Sequence, residues 1–286
     1  MTNTQTRHEA DPAASSDHPE SDGIIIRRVE SQEEYDECVR IQYETWGMGF
    51  TERVPSTIFR VSQYLGGVTA AAFSGQHGGM LGFVFGMTGV QDGRLVHWSD
   101  LLAVRCEARD RGVGRRLKLF QRSAVIPIGV TRMLWTFDPL VARNAHLNLN
   151  ALGASITDYV PDMYGVDTGS ALHSAVGTDR FIVAWDLTTE APPAPRGRGI
   201  PDPSSPTPVV NQMNPAGEAA AAGDGAGDVY IVVPGDIHEV VARTPDLARA
   251  WRESTRAAFL RYLKRGYRVS GFHRGDGQGF YHLARE

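Results

Sequence analysis

The chain has 286 residues, of which 42% are hydrophobic, and carries a formal net charge of −4. This size and composition suit one large domain, or one domain with a smaller companion, around a buried core. The slightly acidic balance gives no bulk attraction to nucleic acid or to an anionic membrane, so neither is an expected partner.

Residues 1–22 are polar, rich in Ser, Asp, Glu, His and Pro, and are predicted to form a disordered tail. They lack the apolar stretch of a signal peptide or a membrane span, so we expect a cytoplasmic protein. Cys38 and Cys106 lie far apart in the sequence and lack the spacing of metal ligands. We therefore expect two free thiols in a reducing compartment and no bound metal.

The first part of the chain alternates predicted strands and helices. Ser31 and Glu34 have the spacing of a capping box, which marks the start of a helix. Helices are predicted over 32–46 and 55–65, and strands over 24–29, 68–73, 80–87 and up to Val104. The last three strands are separated by glycine-containing turns and are predicted to form an antiparallel meander.

A helix is predicted from Val113 to about Pro127, followed by a strand over 132–137. The crossover helix between them predicts that this strand runs parallel to the strand over 97–104. A further helix over 143–152, ended by Gly153, and strands over 156–159 and 180–187 complete the unit. The order βααβββαβαββ predicts an α/β fold with a mixed sheet, over residues 23–187.

The remaining sequence divides into a linker and a small second unit. Residues 188–228 are rich in Pro, Gly, Ala and Ser and are predicted to be a disordered linker. Residues 229–286, here called the C-terminal unit, are predicted to form a βαββ arrangement with a helix over 245–264. Because so short a segment is marginal as an independent fold, we expect it to pack on the first domain.

The central motif is a turn, residues 109–114, that leads from the strand ending at Val104 into the next helix. It reads Arg-Asp-Arg-Gly-Val-Gly and is called the glycine turn below. Backbone N–H groups and the dipole at a helix start suit a phosphate, and glycine lets the backbone come close to it. A glycine-rich turn can also serve only to reverse the chain, and the pattern alone leaves both interpretations open.

Arg109-x-x-Gly112-x-Gly114 resembles the signature of the GNAT superfamily of acyl-CoA N-acyltransferases. The segments LWTFDPL (134–140), RNAHLNL (143–149) and LGA (152–154), with Asp179-Arg180, resemble one branch of that superfamily. The resemblance covers about residues 24–187. It implies a GNAT-like fold in which two parallel strands splay apart and acetyl-CoA or another acyl-CoA enters between them.

The resemblance also implies where the donor binds. In the family the turn amides hold the pyrophosphate, the preceding strand pairs with the pantetheine arm, and a backbone N–H near a bulge, here about Leu102–Ala103, stabilises the oxyanion. The implied cofactor-binding residues are Leu102, Ala103, Val104, Arg109, Arg111, Gly112, Val113, Gly114, Arg115, Asn144 and Asn148. Asn144 has a second interpretation as a helix cap.

Four side chains are candidates for proton transfer. Asp100 is unusual inside an apolar strand, and is either a base or amine-orienting group, or an aspartate that reaches solvent or pairs with an arginine. Glu44, at the end of the first helix, is the second candidate base, because the resemblance implies that this region lines the acceptor side of the cleft; a solvated helix residue is the alternative. The resemblance implies Tyr164 as the first candidate acid, because a tyrosine after the fourth helix commonly has this role in the family. Tyr159 is the second candidate, and either is equally typical of a packed tyrosine.

The sequence thus predicts an enzyme that moves an acyl group, acetyl or succinyl, from coenzyme A to the amine of a small metabolite such as an amino acid. The alternative is a non-catalytic module that binds acyl-CoA or a protein partner, and a protein-lysine acetyltransferase is a third interpretation. A homodimer is compatible with each of these. We further hypothesise that the C-terminal unit covers the acceptor side of the cleft and is not needed for the donor.

Overall fold

The computed structural model describes residues 23–75, 78–165, 168–174, 176–189, 207–211, 227–275 and 277–285. The predicted disordered tail and most of the predicted linker lie outside these residues. Within the described ranges, no helix combines the length and apolar character that crossing a membrane requires.

The N-terminal unit follows the predicted order of elements. It begins with β1 (Ile24–Arg28), α1 (Gln32–Trp46), α2 (Ser56–Tyr64), β2 (Val68–Ser74), β3 (Met80–Gln91) and β4 (Arg94–Val104). It continues with α3 (Val113–Val125), β5 (Arg132–Phe137), α4 (Ala142–Ala145), a π-helix (His146–Ala151), β6 (Ser155–Val160) and β7 (Arg180–Asp186). The capping box at α1 is present, with Ser31 Oγ accepting from Glu34 N and Glu34 accepting from Ser31 N.

These strands form one seven-stranded sheet in the order β1-β2-β3-β4-β5-β7-β6. β4 and β5 pair in parallel, and the other neighbouring strands pair antiparallel. Apolar side chains of α1 and α2 pack on one face, around Phe59 and Phe85, while α3 packs on the other face, around Leu117 and Trp135. The predicted mixed α/β fold class, with its GNAT-like order of elements, is confirmed.

The sheet opens into a cleft between β4 and β5. The two strands pair only at Val96–Arg132, His97–Met133 and Trp98–Leu134, and then diverge. On its other edge β4 carries a bulge, since Leu101 pairs with Phe85 while Ser99 pairs with Gly86, which leaves Asp100 as the extra residue. Because a bulge bends and twists its strand, this one helps to turn β4 away from β5. The donor N–H was expected at about Leu102–Ala103, near a bulge, and the register places the bulge at Asp100, two residues before Leu102.

The C-terminal unit has one helix more than predicted. It contains β8 (Val229–Pro234), α5 (Ile237–Arg243), α6 (Pro245–Lys264), β9 (Tyr267–Gly275) and β10 (Gln278–Arg285). The strands form an antiparallel sheet in the order β8-β10-β9. α5 is capped by the Asp236 carboxylate, which accepts from the backbone N–H groups of His238 and Glu239. The predicted βαββ order is therefore corrected to βααββ.

The C-terminal unit shares an apolar core with the first sheet. The rings of Phe181 on β7, Phe259 on α6 and Tyr281 on β10 pack together, with centroids 4.8 to 5.6 Å apart. A described piece of the predicted linker, 207–211, also joins this core. Its Asn211 side chain donates to Val232 O and accepts from Val232 N on β8, so this piece is ordered rather than linker-like.

Candidate active site

The glycine turn places free backbone donors at one end of the cleft. Gly112 is the N-cap of α3 with φ +73°, a left-handed conformation that favours glycine. The first bond within the helix runs from Arg116 N to Gly112 O, so the N–H groups of Val113, Gly114 and Arg115 precede it. The first turn of α3 contains no acidic residue. This end of the cleft therefore suits an anion.

Basic side chains surround the glycine turn. Arg109, Arg115 and Arg143 line the cleft together with His238 and Arg274. Burial is the larger cause that lowers the pKa of Arg143, and the positive charge of Arg109 adds to it. Burial likewise lowers the pKa of His238, with a smaller contribution from the positive charge of Arg143. His238 and Arg274 belong to the C-terminal unit, and sequence reasoning missed both.

Arg111 does not share this position. It was expected to bind the cofactor, but it is exposed and is not among the residues that line the cleft. The neighbouring Arg116 turns the other way and donates to Ile24 O at 2.7 Å.

The wall formed by β4 presents backbone donors along a cleft of about 690 Å³. Arg105 N donates to Leu81 O of β3 at 2.9 Å. Because successive N–H groups of a strand point to opposite edges, the Ala103 N–H also faces β3, while those of Leu102 and Val104 face the cleft. All three residues line the cleft, and of the two residues expected to supply the oxyanion donor, Leu102 rather than Ala103 has its N–H directed into it.

The opposite wall is a π-helix rather than the predicted α-helix. α4 ends at Ala145, and the π-helix shows its i to i−5 bond from Leu152 N to Leu147 O at 2.9 Å. Asn144 and Asn148 both line the cleft, as predicted. Val141 is the N-cap of α4, so Asn144 does not cap it, and Asn148 Oδ1 accepts from Trp135 Nε1 at 3.1 Å. Short π-helices are frequent at functional sites.

Asp100 lies at the bulge and opens into the cleft. Its carboxylate accepts from Trp98 Nε1 at 3.2 Å. The Asp100 side chain is exposed within the cleft, yet the surrounding walls desolvate it in part and raise its pKa. The Trp98 hydrogen bond opposes this rise, and the negative charge of Glu52 adds to it. A raised carboxyl pKa suits a group that exchanges protons.

Tyr164 faces the same part of the cleft. Its hydroxyl lies 3.0 Å from Thr136 Oγ1, and the Arg180 guanidinium carbon lies 5.4 Å from its ring centre. Burial raises the pKa of Tyr164, so its hydroxyl is protonated at neutral pH. Tyr159, the second candidate acid, is instead buried outside the cleft and donates to Asp179, which favours a structural role for it.

Glu44 does not fit the role of a base. Arg105 donates to both of its carboxylate oxygens, from Nε and Nη2, at 2.8 Å each. These hydrogen bonds lower the pKa of Glu44, and the residue is not part of the cleft lining. Glu52 lines the cleft in its place. Sequence reasoning missed Glu52 because it lies in a connection without a periodic pattern.

Arg180 and His173 complete this end of the cleft. Arg180 Nη2 donates to His173 Nε2 at 3.1 Å, and Arg180 Nη1 forms a longer ion pair with Asp138 Oδ2, at 3.6 Å. Burial, and then the charge of Arg180, lowers the pKa of His173 to about 4. The imidazole is therefore neutral near pH 7, and the guanidinium is the cation of this site. The sequence showed Arg180 only as part of a resemblance, without a role.

The described residues contain no group of three His, Cys, Asp or Glu side chains placed to hold a metal ion. The cysteines are unpaired, Cys38 in the core and Cys106 on the surface. Burial raises the pKa of the Cys38 thiol, which makes it unreactive.

No family model and no curated protein matches the sequence. Solved structures with a similar fold include the ribosomal-protein-S18-alanine N-acetyltransferase from Escherichia coli, with 17% identity and a TM-score of 0.43, covering 59% of this chain and 96% of that one. Ard1 from Thermoplasma volcanium has 16% identity and a TM-score of 0.44, covering 57% and 97%. Arabidopsis thaliana NAA60, in complex with a bisubstrate analogue, has 15% identity and a TM-score of 0.44, covering 57% and 97%. At such identities the likeness concerns chain folding alone.

Proposed function

We propose that this protein is an acyl-CoA-dependent N-acyltransferase that acylates the amine of a small metabolite. The observation that carries the proposal is the cleft between β4 and β5. It joins an anion-suited glycine turn at one end to a carboxyl and tyrosine pair, Asp100 and Tyr164, at the other. An acyl-CoA has the matching form, with phosphates at one end and a thioester at the other.

The donor end is assigned to the chain's own polar groups. The amides of Val113 and Gly114 would hold the pyrophosphate, with Arg109 and Arg143 neutralising its charge. The outward N–H of Val104 and the side chain of Asn144 would bind the amides of the pantetheine arm. Coenzyme A supplies the activated thioester, and no other cofactor enters this proposal.

The chemistry needs a base, an oxyanion donor and an acid. Asp100 would accept a proton from the ammonium group, so that the neutral amine attacks the thioester carbonyl. The Leu102 N–H would stabilise the oxygen as negative charge develops there. As the carbon–sulfur bond breaks, Tyr164 would donate its hydroxyl proton to the leaving thiolate and regain a proton from the attacking nitrogen, which carries one too many after attack. The proton held by Asp100 would then pass to solvent.

The amount of base catalysis required depends on the amine. Deprotonating an α-amino group of pKa ~8 costs about 1 kcal/mol at neutral pH, whereas a lysine side chain of pKa ~10.4 costs about 4–5 kcal/mol. A carboxyl group that is exposed in the cleft, such as Asp100, is a weak base and is adequate for the smaller free energy of deprotonating an α-amino group. This comparison favours an α-amino acceptor.

The charges at the acceptor end support an amino acid. Asp100 and Glu52 lie close enough for each other's charge to matter, and together they attract an ammonium group. Arg180 contributes a cation whose closest side-chain partner is the neutral His173, so it is suited to a carboxylate. We propose that these two groups of charges orient the amine and carboxylate of one small acceptor.

We also propose that the C-terminal unit shapes both ends of the cleft. His238 and Arg274 lie at the donor end, and Arg252 of α6 holds Asp138 beside Arg180 at the acceptor end. The hypothesis that donor binding is complete without this unit does not agree with the position of His238 and Arg274. Loss of the unit is therefore expected to weaken acyl-CoA binding as well as acceptor choice.

The proposal is tested by thiol release from acetyl-CoA and succinyl-CoA, with and without a panel of amino acids and amines. Amine-dependent release of one thiol per acylated amine supports the enzyme. Tight binding of acyl-CoA without amine-dependent release would instead support a non-catalytic binding module. Acylation of protein lysines alone would support the third interpretation, a protein-lysine acetyltransferase.

A further inference from the structure

A buried amine occupies the point where the cleft begins. Trp98 and Leu134 are the last paired residues of β4 and β5, so Ser99 and Trp135 are the first that separate. Lys118 reaches this point from α3. Its Nζ lies 2.7 Å from Ser99 Oγ and 3.9 Å from the centre of the Trp135 ring. Lys118 is 2% exposed, and all three side chains line the cleft.

This amine has no acidic partner in the described part of the chain. Its hydrogen-bond partner there is the Ser99 hydroxyl, and burial is the one influence on its pKa, with no contribution from a carboxylate among the described residues. Burial holds the pKa of Lys118 well below its ordinary value. The titratable neighbour is His97 on β4, which is also buried, and burial lowers its pKa to about 3, so its imidazole is neutral near pH 7. Burying a lysine side chain without an acidic partner costs free energy, because its charged form loses its hydration. A ligand that brings an anion to this point would offset the cost.

The position matches the acyl end of the donor. The glycine turn follows the far end of β4, and Ser99 lies five residues back from Val104, about 17 Å along the strand. An extended pantetheine arm that starts with its phosphates at the glycine turn follows this strand towards Ser99. The thioester then lies near the start of the cleft, and the acyl chain is the part of the donor that meets Lys118.

We infer that Lys118, with Ser99, selects the acyl group, and that the donor is the coenzyme A thioester of a short dicarboxylic acid such as malonate, succinate or glutarate. The free carboxylate of the acyl chain would accept one hydrogen bond from the Lys118 ammonium group and a second from the Ser99 hydroxyl. The Trp135 face would stabilise the ammonium form. An acetyl group offers neither contact. This inference rests on the proposed function and adds the class of acyl donor to it.

The test compares kcat/KM for malonyl-, succinyl-, glutaryl- and acetyl-CoA with one acceptor. A charge-assisted hydrogen bond is worth about 1.5–3 kcal/mol, so we expect a preference of roughly 10-fold or more for at least one dicarboxylic donor. Lys118→Met should remove this preference and leave acetyl transfer within a few fold. Ser99→Ala should reduce the preference to a smaller extent. Lys264→Met, at an exposed position, is the matched control and should change none of these values.

A wild-type protein that uses acetyl-CoA as well as every dicarboxylic donor would overturn the inference, as would a Lys118→Met variant that keeps the preference. Calorimetric affinities of succinyl-CoA and acetyl-CoA for the wild-type protein give a second test, independent of variants and of turnover. Equal affinities would count against the inference. If no donor acylates any amine, the proposed function fails, while the affinity ratio still decides whether Lys118 recognises an acyl carboxylate.

Discussion

Arg252 of α6 and Asp138, the residue after β5, form a two-point ion pair, with Nη2 2.7 Å from Oδ1 and 2.6 Å from Oδ2. Burial alone would raise the pKa of Asp138, but the charges of Arg252 and Arg180 outweigh it and lower that pKa. Arg252 Nε also donates to Val176 O. The pair therefore keeps a buried carboxylate ionised and fixes the C-terminal unit to the end of a cleft strand.

The first prediction concerns this pair. Arg252→Met would leave Asp138 buried with less compensation, and breaking a buried pair in this way costs about 3–5 kcal/mol. Urea unfolding should show a loss of that size. The control is Arg249→Met, which removes an exposed pair with Asp246 on the same helix and should cost no more than about 1 kcal/mol. Equal losses for the two variants would show that the buried pair is not a principal link between the units.

The second prediction concerns the glycine turn. The position of a Cβ at Gly114 has only ordinary contacts, the nearest being Leu102 Cδ2 at 3.7 Å, so the fold should tolerate a side chain there. Gly114→Asp places a negative charge where we assign the pyrophosphate, whereas Gly114→Asn has the same shape without the charge. Calorimetry should show a much larger loss of coenzyme A affinity for Asp than for Asn. Matching losses would indicate a steric effect and remove the phosphate assignment.

The third prediction separates the two candidate bases. Asp100→Asn should lower turnover by about 10²–10⁴, whereas Glu44→Gln should leave turnover nearly unchanged because Glu44 is paired with Arg105. Since the pKa of Asp100 is raised, its base form is lost as pH falls through a value above that of an ordinary aspartate. The acidic limb of kcat/KM should therefore lie above pH ~4 in the wild type and disappear in Asp100→Asn. An unchanged limb would assign it to another group.

The fourth prediction contrasts the two tyrosines. Tyr164→Phe should lower kcat with little change in melting temperature, because the hydrogen bond that its hydroxyl forms within the described residues, to the Thr136 side chain, is exposed to solvent. Tyr159→Phe should lower the melting temperature with little change in kcat of the folded protein, because its hydroxyl binds the buried Asp179. A Tyr164→Phe enzyme with the wild-type rate of thiol release would assign that tyrosine to packing.

The fifth prediction concerns stability and pH. Burial lowers the pKa of Lys118 in the folded protein well below the value of ~10.4 that it has in the unfolded chain, so between these two values the unfolded state binds more protons. The free energy of unfolding contributed by this group therefore rises with pH, by about 1.4 kcal/mol per pH unit, until it levels off near pH 10. Lys118→Met should be more stable than the wild type at pH 7, with a difference that shrinks towards pH 10. A difference independent of pH would show that Lys118 keeps its proton when folded.

Much of the fold follows from local sequence patterns. The capping box at Ser31, the meander through β4 and the glycine turn before α3 are each encoded within a few residues, so their positions could be predicted. The parallel pairing of β4 and β5 could also be predicted, because a helix connects the two strands. The same local coding explains why Asp100 and the glycine turn were found as parts of one site.

Other features depend on contacts that no local pattern reports. The bulge at Asp100 depends on the register with β3, and the pattern around Leu147 and Leu149 does not distinguish a π-helix from an α-helix. Glu52 and His238 reach the cleft only through tertiary packing. Lys118 lies within the predicted helix and was not singled out from the sequence, because its burial beside Ser99 depends on where β4 and β5 separate.

The most direct test of the whole account is the mass of the product formed from an acyl-CoA carrying an isotopically labelled acyl group. With a suitable amino acid acceptor, the wild-type protein should transfer the labelled group to the amine, with one free coenzyme A per amide formed. Gly114→Asp and Asp100→Asn, folded as shown by circular dichroism, should form little of this product. Labelled amide at the wild-type rate from both variants, or no amide from the wild type with any amine, would contradict the assignment of this cleft as an N-acyltransferase site.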